Sequence, residues 1–267
     1  MQAKELLDAG HLTAAIEQLG QEVKARPTDT PRRTFLFELL CFAGEYDRAK
    51  RQLDVLGHET TSREIGVQIY RNVLAAEEAR RGLFASGLRP HFLESPPPYA
   101  RLHLEAVNRL RENSPAEARS VLDESSGLQP AMKGHLDGQE FHGFQDADDI
   151  IGPFLEVFIH DRYVWFPFEA LRRVEISAPR QLRDLLWIPA TLESWNGSIG
   201  EALLPVLYAG SSAHPDEQVR LGRMTDWKSA EGGLALGAGQ RIFLVNDEER
   251  AMLEVRLIEF ERAGESE

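Results

Sequence analysis

The apolar positions of this chain change their period near its middle. Up to about residue 125, leucine, alanine and isoleucine recur every three or four positions, the spacing that lines one face of a helix. Beyond about residue 150, short runs of β-branched and aromatic residues take over, bounded by glycine, proline and asparagine. That is the pattern of strands and turns. Helices first and strands afterwards predict an α+β fold.

The helical part repeats itself. Gly10, Leu12, Ala15 and Leu19 have counterparts at Gly44, Tyr46, Ala49 and Leu53, each 34 residues later. This is the tetratricopeptide period, two antiparallel helices per repeat. A glycine lets the chain turn sharply between helices, and a small alanine lets two helices approach. A leucine four positions on faces the same side. Pro27 and Pro31 separate the first helix pair from the next. Ala118 and Leu122 echo Ala49 and Leu53, 69 residues on, behind a helix over 102–110. Residues 64–83 read as an amphipathic helix with Ile65, Ile69, Val73 and Leu74 on or near one face. Ser95 and prolines 96–98 read as a stiff connecting loop. Three degenerate tetratricopeptide-like repeats are expected. Such a stack presents a concave surface that takes a peptide, often a helix laid in an apolar groove. The expected groove residues are Phe35, Leu39, Phe42 and Tyr46, for which packing between helices is the competing reading.

A glycine- and proline-rich stretch at 127–138 closes the helical region and places a domain boundary at 130, dividing the chain into 1–130 and 131–267. Strands are expected at 154–159, 163–166, 174–176, 186–188, 199–204, 242–245 and 253–260, in a mostly antiparallel, barrel-like sheet. The polar residues 160–162 read as a hairpin turn. Asn196 and Gly197 tolerate positive φ and predict another. Residues 179–185 read as one helical turn, and 232–239, with four glycines, as a flexible loop.

Charge and composition narrow the function. The net charge is −13, and nearly all the excess acid lies beyond residue 135. This argues against a nucleic-acid groove or an anionic membrane as partner. No apolar run approaches the ~20 residues that span a bilayer, and the N-terminal residues lack a signal-peptide core, so a cytoplasmic location is expected. Cys41 is the only cysteine, which excludes an intrachain disulfide and a cysteine-rich metal site. Its apolar helical setting suits a small core residue.

Candidate chemistry is sparse. His135, His142, Asp146, Asp148 and Asp149 lie close in sequence but lack zinc or EF-hand spacing, and read as an acidic turn. The glycines at 232–239 resemble a dinucleotide loop without its βαβ setting. No metal or cofactor is expected. Asp184 near Trp187, and Asp226 beside Trp227, are carboxylates whose desolvation would shift their pKa. With Arg183 and Arg223 nearby, ion pairs are the simpler reading. An enzyme or small-ligand site using Asp184, Asp226 or the 146–149 carboxylates is the alternative function.

Longer motifs add a resemblance. The N-terminal residues 6–56, then DGQEF (137–141), DADDIIGPFLEV (146–157), YVWFPFEALRRV (163–174), LRDLLWIPA (182–190), LPVLYAGS (204–211), GRMTDW (222–227) and GQRIFL (239–244) occur in that order. In them the chain resembles the ImpE/TagJ (SciE-type) accessory proteins of bacterial type VI secretion systems. His160 to Arg162 stand where that pattern would carry a glycine-bearing turn. The resemblance implies a tetratricopeptide-like domain followed by an α+β domain, and a non-enzymatic role. It also implies binding to the N-terminal helix of the sheath subunit TssB, with an effect on sheath assembly or on its recycling by the ClpV ATPase.

Overall fold

The structure is a computed structural model that describes residues 2–57, 61–230 and 232–262. Seven helices come first: α1 Ala3–Asp8, α2 Leu12–Ala25, α3 Thr30–Phe42, α4 Tyr46–Leu56, α5 Thr61–Ser86, α6 Pro98–Arg111 and α7 Pro115–Ser126. Their starts follow ordinary capping rules. The Asp29 side chain accepts from the Arg32 amide at 3.1 Å ahead of α3. Prolines occupy the first turn of α3, α6 and α7, where a missing N–H costs nothing.

The repeat is visible in the turns. After α1, the Gly10 amide donates to Leu7 O at 2.8 Å and the His11 amide to Leu6 O at 2.9 Å. After α3 the same pair of bonds joins Gly44 to Cys41 at 3.0 Å and Glu45 to Leu40 at 2.9 Å. After α6 it joins Asn113 to Leu110 at 3.0 Å and Ser114 to Arg109 at 2.8 Å. All three turns are Schellman caps. The residue at the bend has φ of 85° at Gly10, 70° at Gly44 and 58° at Asn113. Asparagine tolerates this left-handed conformation, so it replaces glycine in the third copy. Ala15, Ala49 and Ala118 are all fully buried one turn into the following helix.

The strands are β1 Gly134–Leu136, β2 Gln139–Phe141, β3 Phe144–Asp146, β4 Phe154–Ile159, β5 Arg162–Pro167, β6 Leu171–Ile176, β7 Trp187–Ser194 and β8 Gly197–Pro205. After the short helix α8 (Glu217–Arg220) come β9 Thr225–Ala230, β10 Leu234–Gly239, β11 Ile242–Val245, β12 Glu248–Ala251 and β13 Leu257–Phe260. Eight strands form one sheet in the order β2-β1-β13-β6-β7-β8-β4-β5. β12-β11-β3 and β10-β9 form two smaller sheets. Every strand pairing is antiparallel, so the fold is α+β, helical repeats followed by a mostly antiparallel sheet.

Several expectations need correcting. Residues 232–239 are not a loop: Leu234–Gly239 is a strand paired along its whole length with β9. The expected strand at 253–260 is a 3₁₀ turn, Met252–Glu254, followed by β13. β1, β2 and β3 are three residues each, too short to show an alternation. The turns at Asp137-Gly138 and Asn246-Asp247 place both residues at positive φ, as two-residue hairpins do. His160 adopts φ 54° in the hairpin between β4 and β5, where a glycine-bearing turn was the expectation.

β4 and β5 are buried along nearly their full length instead of alternating. Burial of successive residues means cover on both faces; α5 packs against both strands, and Phe92, Tyr99 and His103 pack on Phe154. The edge of β5 is met by the α5–α6 connector, where the His91 amide donates to Tyr163 O at 2.8 Å and the Trp165 amide to His91 O at 3.0 Å. One hydrophobic cluster contains residues of both the helices and the sheets.

Candidate functional site

The four groove residues expected from the repeats do not form one exposed patch. Leu39 and Phe42 are 0% and 1% exposed. Phe35 and Tyr46 are half-buried against the core. Phe35 lies seven residues before Phe42 on α3, about 10 Å along the axis at 1.5 Å per residue. Tyr46 begins α4, with the Arg81 guanidinium over its ring at 5.1 Å. Phe35 sits midway along α3, and Tyr46 lies beyond the end of that helix, at the start of α4.

Part of the helical surface is taken by the chain itself. A Cβ placed on Gly10 would lie 1.8 Å from Gln218 Nε2, and one on Gly44 would lie 2.4 Å from Ser212 Oγ. The Thr13 amide donates to Glu217 Oε1 at 2.8 Å, and Arg223 Nη2 to Leu7 O at 2.8 Å. On α3, Glu38 takes an ion pair from Arg183 at 3.2 Å. The segment 211–223 therefore seats on the repeat turns.

Beneath that seam lies a buried charge network that the hydrophobic pattern did not reveal. Arg80 on α5 donates to both oxygens of Glu156 on β4, at 2.8 Å each, and to Leu207 O at 2.8 Å. Its Nη1 lies 3.3 Å from Glu77 Oε1, and Trp187 Nε1 donates to the other Glu77 oxygen at 3.3 Å. Glu156 also accepts from Arg241 and from the Tyr163 hydroxyl, and Arg241 also holds Asp146. Burial alone would raise the Glu156 carboxyl, but the Arg80 and Arg241 guanidiniums outweigh it and hold it at about 2. A sequence signal existed: Glu156 is a lone acid inside the apolar strand FLEVFI, and Arg80 falls on the same helix face as buried Ala76 and Leu83.

The acidic cluster and the glycine run satisfy one another. Asp148 accepts from the Gly237 and Ile150 amides at 2.8 and 2.9 Å. Asp149 accepts from the Ala235 amide at 2.7 Å and pairs with Arg119 at 3.4 Å. Gly237 has no room for a side chain, because a Cβ there would lie 2.4 Å from the Tyr208 ring. Burial, and then the Asp146 charge, push the Asp148 carboxyl up to about 7. Asp184 caps the turn at 182–185, accepting from the Arg180 and Gln181 amides at 2.8 and 2.9 Å. Asp226 is exposed beside His214 at 3.1 Å. Asp184, Asp226 and the 146–149 carboxylates are thus far apart in role: backbone caps, ion-pair partners and one surface acid. Among the described residues no three His, Cys, Asp or Glu side chains converge as metal ligands, and no helix is long and apolar enough to cross a membrane.

Beside the α5–α6 connector the surface is grooved. One groove, about 610 Å³, lies between the end of α5, the connector and α6. A second, about 510 Å³, lies between the connector and the end of β5, lined by Trp165, Trp195 and Glu169 among others.

Comparison with known proteins agrees with this geometry. The ImpE protein family matches residues 138–259. The type VI secretion system accessory component TagJ of Pseudomonas aeruginosa is 37% identical over 261 residues, 98% of this chain and 92% of that protein. The chain belongs to the ImpE/TagJ family. A crystal structure of a Vibrio parahaemolyticus protein has the same fold, with a TM-score of 0.90, 23% identity and 98% of each chain covered. The ImpE match takes in Asp146, Glu156 and Arg241, whereas Glu77 and Arg80 lie outside it, on the helices. The motifs that carried the resemblance are packing motifs here: Trp165 stacks on Phe154 at 4.8 Å, Asp184 caps a turn, and Trp187 reaches Glu77 across the seam.

Proposed function

We propose that this chain is a non-enzymatic accessory protein of a type VI secretion machinery, acting in the cytoplasm. In this reading its helical part, residues 1–130, docks the N-terminal helix of the sheath subunit TssB, and residues 131–267 brace that surface. Its effect falls on sheath assembly or recycling, with the ClpV ATPase linked only indirectly. The observation that carries the reading is the 37% identity with TagJ over nearly the whole chain. The repeats support it as a peptide-binding architecture, with Phe35 and Tyr46 as the part-exposed members of the docking face and Leu39 and Phe42 as its backing. For the enzyme alternative, Asp184 and the 146–149 carboxylates are occupied as caps and ion pairs, Asp226 stands exposed on the surface, and no observation favours that alternative. The test is a calorimetric titration of the chain with a peptide of the TssB N-terminal helix. Saturable binding weakened by Phe35→Ala is the expected result. No heat at high micromolar peptide sinks the proposal.

A further inference from the structure

The groove between α5, the connector and α6 is apolar, open and bordered by positive charge. Leu88 and Leu128 are each 53% exposed at its lips, and Phe92 and Leu104 are half-buried within it. Leu88 is held in place from below: a Cβ on Gly82 would lie 2.4 Å from Leu88 Cδ1, so the glycine gives that side chain its seat on α5. Arg89 and Arg101 also line the groove, exposed and with no ion-pair or hydrogen-bond partner among the described residues. The acid of the groove, Glu105, is already paired with Arg109 at 2.7 Å. Two unpaired cations thus flank an apolar trough in a protein of net charge −13.

We propose that this groove docks a short amphipathic helix of a protein partner, one with an apolar stripe flanked by carboxylates. The charge of the occupant follows from Arg89 and Arg101. Its helical form follows from the floor. Pro90 and prolines 96–98 supply no N–H to extend a sheet, so an extended segment would find few backbone partners there, whereas a helix satisfies its own backbone. Leu88 and Leu128, each about half exposed, offer apolar surface to the stripe of such a helix.

The test uses a fluorescein-labelled synthetic helix with leucines along one stripe and glutamates beside it, titrated with the full chain by anisotropy. A counterpart carrying lysines in place of the glutamates is the control. The glutamate peptide is expected to bind saturably, roughly tenfold or more tighter than the lysine peptide, and to weaken as salt rises. Leu128→Glu, at a half-exposed position, is expected to weaken it by a similar factor while the melting temperature stays unchanged. Arg89→Glu with Arg101→Glu is expected to reverse the preference between the peptides. No saturable binding, equal binding of the two peptides, or indifference to Leu128→Glu would overturn the proposal. Self-association in light scattering that Leu128→Glu abolishes would overturn it in favour of a second copy of this chain. Because the probe is not a sheath peptide, failure here leaves the TssB reading standing.

Discussion

Arg80 on α5 and Glu156 on β4, 76 residues apart in sequence, meet as a two-pronged ion pair with both bonds at 2.8 Å and neither side chain more than 2% exposed. The pair fastens the helices to the sheet. Burying two charges costs free energy that only full pairing offsets, so removing one partner is far more damaging than the pair is stabilising. Arg80→Met leaves Glu77 with Trp187 alone and takes two bonds from Glu156. The expected loss is about 3–5 kcal/mol, read as a lower urea midpoint with the slope unchanged. A loss below about 1 kcal/mol would show that Arg241 and Tyr163 satisfy Glu156 by themselves.

The contrast between what the sequence reveals and what it hides follows from range. Helical periodicity and the 34-residue repeat are local, and they located the helices, the turns at Gly10 and Gly44, and the buried Ala49 and Leu53. β4 and β5 were legible because their aromatic runs are long. The short strands β1 and β3 depend on partners more than a hundred residues away, such as Phe260 opposite Gly134 and Val245 opposite Phe144. Asp148 and Gly237 looked like separate ligand sites because their bond spans 89 residues. Leu39 and Phe42 looked like groove residues because periodicity identifies an apolar face without saying what covers it.

The two repeat glycines are expected to respond differently to substitution. Both have positive φ, so alanine costs about 1 kcal/mol at either from backbone strain. At Gly10 the new Cβ meets the far end of Gln218, which can swing aside. At Gly44 it meets Ser212 Oγ and also Ser212 Cβ at 2.9 Å, which can move only with the backbone. Gly44→Ala is therefore expected to destabilise more than Gly10→Ala, and Ser212→Gly to recover part of the Gly44→Ala loss but none of the Gly10→Ala loss. Thermal melts of the five proteins check this, and equal losses for the two alanines would refute it.

His103 gives the fold a sensitivity to acid. Its Nδ1 lies 2.7 Å from Ile150 O, and its Nε2 lies 3.2 Å from Gln129 Nε2. The neutral ring donates from Nδ1 and accepts at Nε2, and a second proton would break the Gln129 bond. Burial lowers its pKa to about 4, although the Ile150 carbonyl pulls the other way. A histidine with a depressed folded pKa contributes stability above about pH 6.5, lost as pH falls towards 4. Asp148, raised to about 7, acts oppositely and loses stability as pH rises from about 4 to 7. The histidine is isolated by comparing the wild type with His103→Gln. The stability gap between them is expected to shrink by about 3 kcal/mol from pH 7 to pH 4. A constant gap would mean that His103 does not titrate in that window.

Cys41 offers a direct reading of how tightly the seam is closed. It is 1% exposed and lines a small cavity of about 40 Å³ with Tyr46, Glu77, Arg80 and Trp187. Burial, with Glu77 and Glu38 adding to it, raises the thiol well above its ordinary pKa, so it stays protonated and unreactive at neutral pH. As the only cysteine, it makes one modification report one site. Labelling of the native protein by a thiol reagent is expected to wait for opening of the structure, at a rate proportional to reagent concentration because reclosing outpaces the thiol reaction. Arg80→Met and Gly44→Ala both weaken the contact between helices and sheet, and each is expected to speed labelling in step with the stability it loses. Leu128→Glu, distant from the seam, is expected to leave the rate unchanged. Mass spectrometry of the intact chain over time reads all four proteins. Rapid, complete labelling of the unmutated protein would mean that the seam opens far below the global unfolding free energy, and that the helices and the sheet are not fastened by the Arg80–Glu156 pair.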